Sequence, residues 1–418
     1  MPLTIHLRNP QHHYHGNEVI RGHVVFESSS LTELQDIRII FTGISKAKVQ
    51  KVKGSGAPAA NYRSKCVLFE KERILLSLNS NGQGGEQVLG PGKYEWPFEF
   101  IFPTTAQSSV NWAEKVPFRS DAEHPLPPTF AIEAGDVERK VDCKIEYRLE
   151  AKVLKPQRGI FPSRTPLFHE EVRLNLLPEF AVADGQEDNR EVYRHQKEQL
   201  FDIRSILLLP ENRGRGLRMP EKIRGWLFPS QLPRFSFTTT FSYPTRVVQS
   251  APLECSWEIT PHMESASISA VPEILMRSIS ITATSQTAAR AAPSIMGAIF
   301  AELDDKIEIL SKTSLHLPVS GTVDLGQVFG PLAFRHTDVS FRTFNIARTY
   351  RLYASIVLEC AGKTNEFKAA DLPFEVVANV EKMEKRGVAA EVSGLVGDAP
   401  PVYTPSCRCH CSGFTFCK

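Results

Sequence analysis

The sequence predicts an all-β protein: two antiparallel β-sandwiches in tandem, joined by a charged linker and followed by a disordered C-terminal tail. Three observations carry that prediction. Between Val141 and Val153, the residues Val141, Cys143, Ile145, Tyr147, Leu149, Ala151 and Val153 alternate with Asp142, Lys144, Glu146, Arg148, Glu150 and Lys152. One face of such a strand is dry and the other wet, as an antiparallel sheet packed on a single core requires. A turn at Gly90, Pro91 and Gly92 releases a second strand with Tyr94, Trp96, Phe98, Phe100 and Phe102 on one side. The same period returns far downstream in Tyr350, Leu352, Ala354, Ile356, Leu358 and Cys360, and a Gly362-Lys363 turn then reverses the chain.

In chain order, Leu3–Arg8 and Gly22–Ser28 read as short strands, and Asp36–Gly43 as a third that aims Ile37, Ile39 and Phe41 inward. Gly54–Ala60 reads as a hairpin loop, Val67–Leu78 as a strand and Asn79–Glu86 as a turn. One helical turn is expected after Ser108 or Ser109, either of which can cap it. Phe130 and Ile132 open a short strand, and Phe168–Leu177, ended by Pro178, closes the first sandwich, residues 1–180.

Residues 181–230 break the pattern and mark a boundary. Their charged first half is expected to hold a helix from about Asn189 to Ile203, with Val192, Leu200 and Ile203 as a thin apolar stripe. A Gly-rich basic loop follows, with Arg213, Arg215, Arg218, Lys222 and Arg224. Its arginines either contact lipid or a partner, or belong to a solvated linker. Alternating segments resume at Pro233 and build the second sandwich, residues 231–380. From 381 to 418, large apolar residues are scarce before Phe414, so the tail is expected to be disordered.

The bulk composition narrows the function. A chain of 418 residues is long enough for at least two cores. Its net charge of +2 argues against a general nucleic-acid binder, because there is no global excess of cations to displace counterions. No apolar run approaches the ~18 residues of a membrane span, and the first residues show no apolar core of a secretory signal. Scattered Cys66, Cys143, Cys255 and Cys360 are expected as reduced thiols in a cytosolic compartment. No nucleophile elbow, zinc-protease helix, phosphate loop or dinucleotide fingerprint occurs, so neither an enzyme nor a cofactor is expected. Trp96, Trp112 and Trp257 read as packing residues, and His12, His13 and His15 as an exposed loop cluster.

Two segments carry candidate binding chemistry. From Ile37 to Phe69 there is no acidic residue, while Arg38, Lys46, Lys48, Lys51, Lys53, Arg63 and Lys65 are basic. Such a surface suits an anionic protein tail or an anionic membrane; equally, lysines at a sheet edge deter aggregation. In the tail, Pro400, Pro401, Val402 and Tyr403 form a Pro-Pro-x-Tyr segment. Its prolines pre-set a polyproline II helix that WW domains take in an aromatic groove, with the tyrosine filling a neighbouring pocket. A plain proline turn is the alternative. Beyond it, Cys407, Cys409 and Cys411, with His410 and Cys417, suit acylation or a soft metal, or are free, redox-labile thiols.

The wording of the first half resembles the N-terminal domain of the arrestin family, nearest that of the α-arrestins. The opening Tyr14, Gly16, Val19, Gly22 and Val24, the strand Gly92–Pro103, the segment Leu126–Phe130 and the strand Val141–Ala151 carry the resemblance, which extends from residue 3 to about 178. In the second half only the strand around Tyr350–Lys363 is similar, and more loosely. The resemblance implies two immunoglobulin-like sandwiches acting as an adaptor without catalysis. It implies membrane-protein cargo tails held on the basic strand, and a HECT ubiquitin ligase recruited through its WW domains by Pro400, Pro401 and Tyr403. The expected location is the cytoplasm, with recruitment to plasma membrane or endosomes. A trafficking scaffold like the arrestin-fold retromer subunit, which needs no ligase, is the alternative.

Overall fold

The computed structural model describes residues 2–378 apart from 52–59, 78–87, 109–111, 113–114, 136–138, 156–164, 179–193, 213–230, 265, 267, 295–296 and 335–337. Contacts gather these residues into one unit that ends at Ala378. The Pro-Pro-x-Tyr segment, the tail cysteines, Lys53, both predicted loops of the first sandwich, the turn at Ser109 and the linker arginines fall outside the described residues.

The N-terminal half contains β1 (Leu3–Leu7), β2 (Val19–Ser28), β3 (Thr32–Glu33), β4 (Asp36–Lys51), β5 (Ala60–Ser77), β6 (Val88–Leu89), β7 (Gly92–Ile101), β8 (Phe130–Gly135), β9 (Arg139–Leu154) and β10 (Phe168–Leu174). One sheet runs β1-β2-β7 and the other β10-β9-β4-β5, with β8 paired to β9. Their inner faces share one core, in which the alternating β9 row from Val141 to Val153 meets Phe98, Phe100 and Phe102. Phe41 stands edge-on to Phe69 and to Phe102 at 4.8 and 5.0 Å between ring centroids, an arrangement the aromatic quadrupoles favour. The packing dictates two glycines: a Cβ on Gly43 would lie 2.6 Å from the Phe69 ring, and one on Gly22 2.3 Å from the His6 carbonyl.

The C-terminal half contains β11 (Arg194–Arg204), β12 (Arg234–Pro244), β13 (Arg246–Val248), β14 (Ser256–His262), β15 (Ile274–Ser294), β16 (Gly297–Lys312), β17 (Leu317–Pro318) and β18 (Gly321–Asp324). After the short helix α1 (Leu325–Phe329) come β19 (Phe341–Arg342), β20 (Ile346–Cys360) and β21 (Lys363–Val377). The sheets run β11-β12-β14-β18 and β13-β21-β20-β15-β16, and close on a core centred on Trp257, Phe367, Tyr350 and Phe374. The turn before β21 is built as expected, with Gly362 at φ 71°.

One expectation is overturned. The segment read as a helix from Asn189 to Ile203 is, from Arg194 onward, strand β11, paired residue for residue with β12 from Arg194↔Pro244 to Arg204↔Arg234. Residues 194–204 therefore belong to the second sandwich rather than to a linker. Leu200, placed on the helical stripe, is 62% exposed, whereas Phe201 and Ile203 are buried two residues apart. Good helix formers such as Glu198, Gln199 and Lys197 yield here to an open sheet edge and a core face that needs Phe201.

No described helix is long and apolar enough to cross a membrane.

Candidate functional site

The basic strand lies on the outer face of the first sandwich. Alternation turns Lys46 and Lys48 of β4, Arg63 and Lys65 of β5 and Lys144 of β9 outward, while Ala47, Val49, Ser64 and Cys143 turn in. The register sets Lys46 between Lys65 and Lys144, and Lys48 between Arg63 and Asp142. Like charges directly across a ladder repel, so this end of the sheet holds a concentrated positive field. Strand β9 relieves part of it. Lys46 Nζ meets Glu146 Oε2 at 2.5 Å, and Lys144 meets Asp142 at 3.3 Å. Burial works against the Glu146 charge, but the hydrogen bond and charge of Lys46, with Arg173 and Arg148 nearby, hold its carboxyl below the ordinary range. Among the described residues no carboxylate pairs with Lys48, Arg63 or Lys65. The side chain of Lys51 is outside the described residues.

Farther along the same face the charges balance. Arg38 grips Asp36 through Nε at 2.8 Å and Nη2 at 2.5 Å, and Glu72 through Nη1 at 2.5 Å. Arg148 bridges Glu150 at 2.9 Å and Glu171 at 2.8 Å, and Lys152 reaches Glu150 at 2.6 Å. Glu150, His169 and Glu171 bring one donor atom each within 4.8 Å of one another. Arg148 and Lys152 already occupy those carboxylates, so a metal would have to displace two cations.

The histidine loop is less open than expected. His12 is exposed, but His13 and His15 are half-buried, and His15 Nδ1 lies 2.8 Å from the Leu177 carbonyl. Burial, then the neighbouring charges of His12 and His15, push His13 down to about 4. The four cysteines of the sandwiches are buried, and burial pushes Cys66 and Cys143 up to about 12. These two stay thiols at neutral pH, so they lack the thiolate that a nucleophile needs.

What sequence reasoning missed is the seam between the sandwiches. The end of β15 and the start of β16 leave their own core: Ala289, Ala291 and Ala301, with Phe344 and Ile346, join the core of the first sandwich. Small side chains at these positions let the strands approach closely. Arg290, 2% exposed, donates from Nε and Nη2 to the Phe344 carbonyl at 3.2 and 2.6 Å. Its guanidinium stacks over Trp112 at 4.3 Å and Phe118 at 4.9 Å, a cation–π contact strengthened by desolvation. Asn345 Nδ2 donates to Ser64 Oγ at 2.9 Å and to the Ser45 carbonyl at 3.3 Å, while Ser45 Oγ donates to Asn345 Oδ1. Ser64 Oγ in turn donates to the Arg290 carbonyl at 2.7 Å. His124 spans Asp121 O at 2.7 Å and Thr343 Oγ1 at 3.1 Å, with its ring edge-on to Phe344. Polar groups from both sandwiches thus satisfy one another away from water, and such a network specifies a single docked arrangement.

Beside the seam lies a cleft of about 830 Å³, walled by Pro125–Pro128 on one side and by Tyr243, Phe341 and Phe374 on the other.

Residues 3–169 match the family model described as arrestin (or S-antigen), N-terminal domain, a span that ends inside β10. No curated protein matches the chain.

Proposed function

We propose that this chain, which carries an arrestin N-terminal domain at residues 3–169, is a non-catalytic adaptor of the α-arrestin kind, linking membrane-protein cargo to a ubiquitin ligase. The domain match supports a trafficking adaptor or scaffold in general. The observation that favours ligase recruitment is Pro400-Pro401-Val402-Tyr403, placed 22 residues beyond the compact unit that ends at Ala378. In this reading the WW domains of a HECT ligase dock there. The sandwiches hold a cargo tail, or an anionic membrane surface, against the basic end of the outer face at Lys46, Lys48, Arg63 and Lys65, with Lys51 and Lys53 beside them in sequence. Recruitment to plasma membrane or endosomes follows from the cargo. Tethering raises the effective concentration of ligase at the cargo's lysines, and no chemistry is needed from this chain. The cysteines at 407, 409 and 411 would add a membrane anchor if acylated.

The test is a pull-down with isolated WW domains: capture of the full chain that disappears in Tyr403→Ala supports the reading. Capture that survives removes the motif from the mechanism and leaves the scaffold alternative, which relies on the sandwiches alone.

A further inference from the structure

The walls of the cleft beside the seam carry five arginines, Arg119, Arg246, Arg342, Arg348 and Arg351, against the three carboxylates Glu302, Asp371 and Glu375. Three of the arginines are engaged. Arg351 pairs with Asp371, Arg246 lies 3.6 Å from Glu375, and Arg348, 3% exposed, meets Asp338 at 3.0 Å and Thr287 Oγ1 at 2.6 Å. The other two are exposed, and among the described residues neither Arg119 nor Arg342 meets a carboxylate. The backbone brings them together. The Arg119 N–H donates to the Thr343 carbonyl at 3.1 Å, so Arg119 of the first sandwich and Arg342 of the second flank one hydrogen bond across the seam. Two like charges thus line one cavity together with Pro117, Pro125, Leu126 and Phe341, low-dielectric walls of the kind that focus a field.

We propose that this cleft binds a small anion bearing two or more phosphoryl groups, clasped between Arg119 and Arg342. The planar guanidinium fork matches phosphoryl oxygens two at a time, which a lysine pair would not do. The volume falls in the range of about 300–1,000 Å³ typical of small-molecule sites, and is too small for a folded partner. The phosphoryl groups belong either to a soluble ester or to a lipid headgroup; the arginine pair recognises the chemistry that both share. Because the anion touches both sandwiches, it binds the docked arrangement and stabilises the seam by mass action. This site is independent of the tail and of its partner.

The experiment is calorimetric titration of the full chain with inorganic tripolyphosphate, together with its melting temperature. The expected result is saturable binding that raises the melting temperature and weakens about tenfold or more in Arg119→Ala and in Arg342→Ala. Lys312→Ala, exposed at the end of β16 and outside both the cleft and the basic face, leaves the affinity unchanged. Arg342→Lys retains the charge but not the fork, and falls in between; it serves should either alanine variant melt lower without ligand. Absence of heat and of thermal shift up to about 1 mM tripolyphosphate overturns the site. So does equal weakening by Lys312→Ala, which would mark diffuse attraction to any surface cation. In a second arm, phosphatidylcholine vesicles with and without phosphatidylinositol 4,5-bisphosphate are offered to the chain. Capture by the second lipid that depends on Arg119 and Arg342 assigns a headgroup, and tripolyphosphate binding without such capture assigns a soluble ester.

Discussion

Strands β9 and β15 both lie inside a sheet of their own sandwich, and they are buried in different ways. Along β9 every second residue from Val141 to Val153 is buried, and the intervening charges face solvent or each other. Along β15 the alternation runs, Thr282 apart, from Ile279 to Thr287 and then stops: Ala288, Ala289, Arg290 and Ala291 are buried in succession. The first sandwich covers the face that solvent would otherwise take. A strand wet on one side advertises itself by period two, whereas a strand dry on both sides carries small and polar residues that read as nothing in particular. The lesson is that the two sandwiches meet where the sequence is least patterned.

Mutations can break or sharpen that contrast. The largest effect is expected inside the first core. Tyr147 is buried, donates to the Pro127 carbonyl at 2.6 Å and packs on Phe69 and Phe102. Tyr147→Ala should cost about 3–5 kcal/mol in urea unfolding, and a loss under about 1 kcal/mol would mean the core can collapse around it. At the seam, Asn345→Ala strands the Ser45 hydroxyl and removes the donor to Ser64, and should cost about 1–3 kcal/mol. The same change should speed hydrogen exchange across the seam, at Arg290 and Arg119, more than at β9 amides; uniform acceleration would show that the seam and the cores unfold as one.

A smaller effect follows from His124, 1% exposed at the seam. Burial lowers its pKa, with the Asp121 carbonyl and charge opposing and Arg119 adding to the shift. Its native pKa lies below the unfolded value of about 6.5, so the unfolded chain takes up the proton first. Stability should therefore be complete above that value and decline as pH falls through it, levelling off below the native pKa. His13, lowered to about 4, acts in the same direction, so the comparison is made against His124→Asn. The variant should show a shallower loss of melting temperature between about pH 7 and 5 than the parent chain, and equal slopes would clear the seam of any pH sensitivity. The smallest effect is expected on the outer face. Lys48→Glu relieves the repulsion from Arg63 and should change stability by no more than about 0.5 kcal/mol, while weakening retention on anionic vesicles at low salt. Unchanged retention would retire the basic face as a docking surface.

How much could be read in advance depended on distance along the chain. The rows of β7, β9 and β20 and the turn at Gly362 were legible, because alternation and turn chemistry are local. The strand character of Arg194–Arg204 was not, since its only argument is the β12 edge that lies 30 to 50 residues away, in the register that runs from Arg194↔Pro244 to Arg204↔Arg234. The basic strand was visible, but not Glu146 or Asp142 set across it, because a ladder joins residues a hundred positions apart.

By itself the chain's residue order determined which faces must be buried, and hence that it folds as sandwiches, since a period of two leaves an apolar surface that only a second sheet can cover. Which charges neutralise one another, and how Arg290, Asn345 and His124 lock one sandwich to the other, was decided only when the tertiary structure brought distant residues together. Those contacts depend on a desolvated geometry that no local pattern encodes.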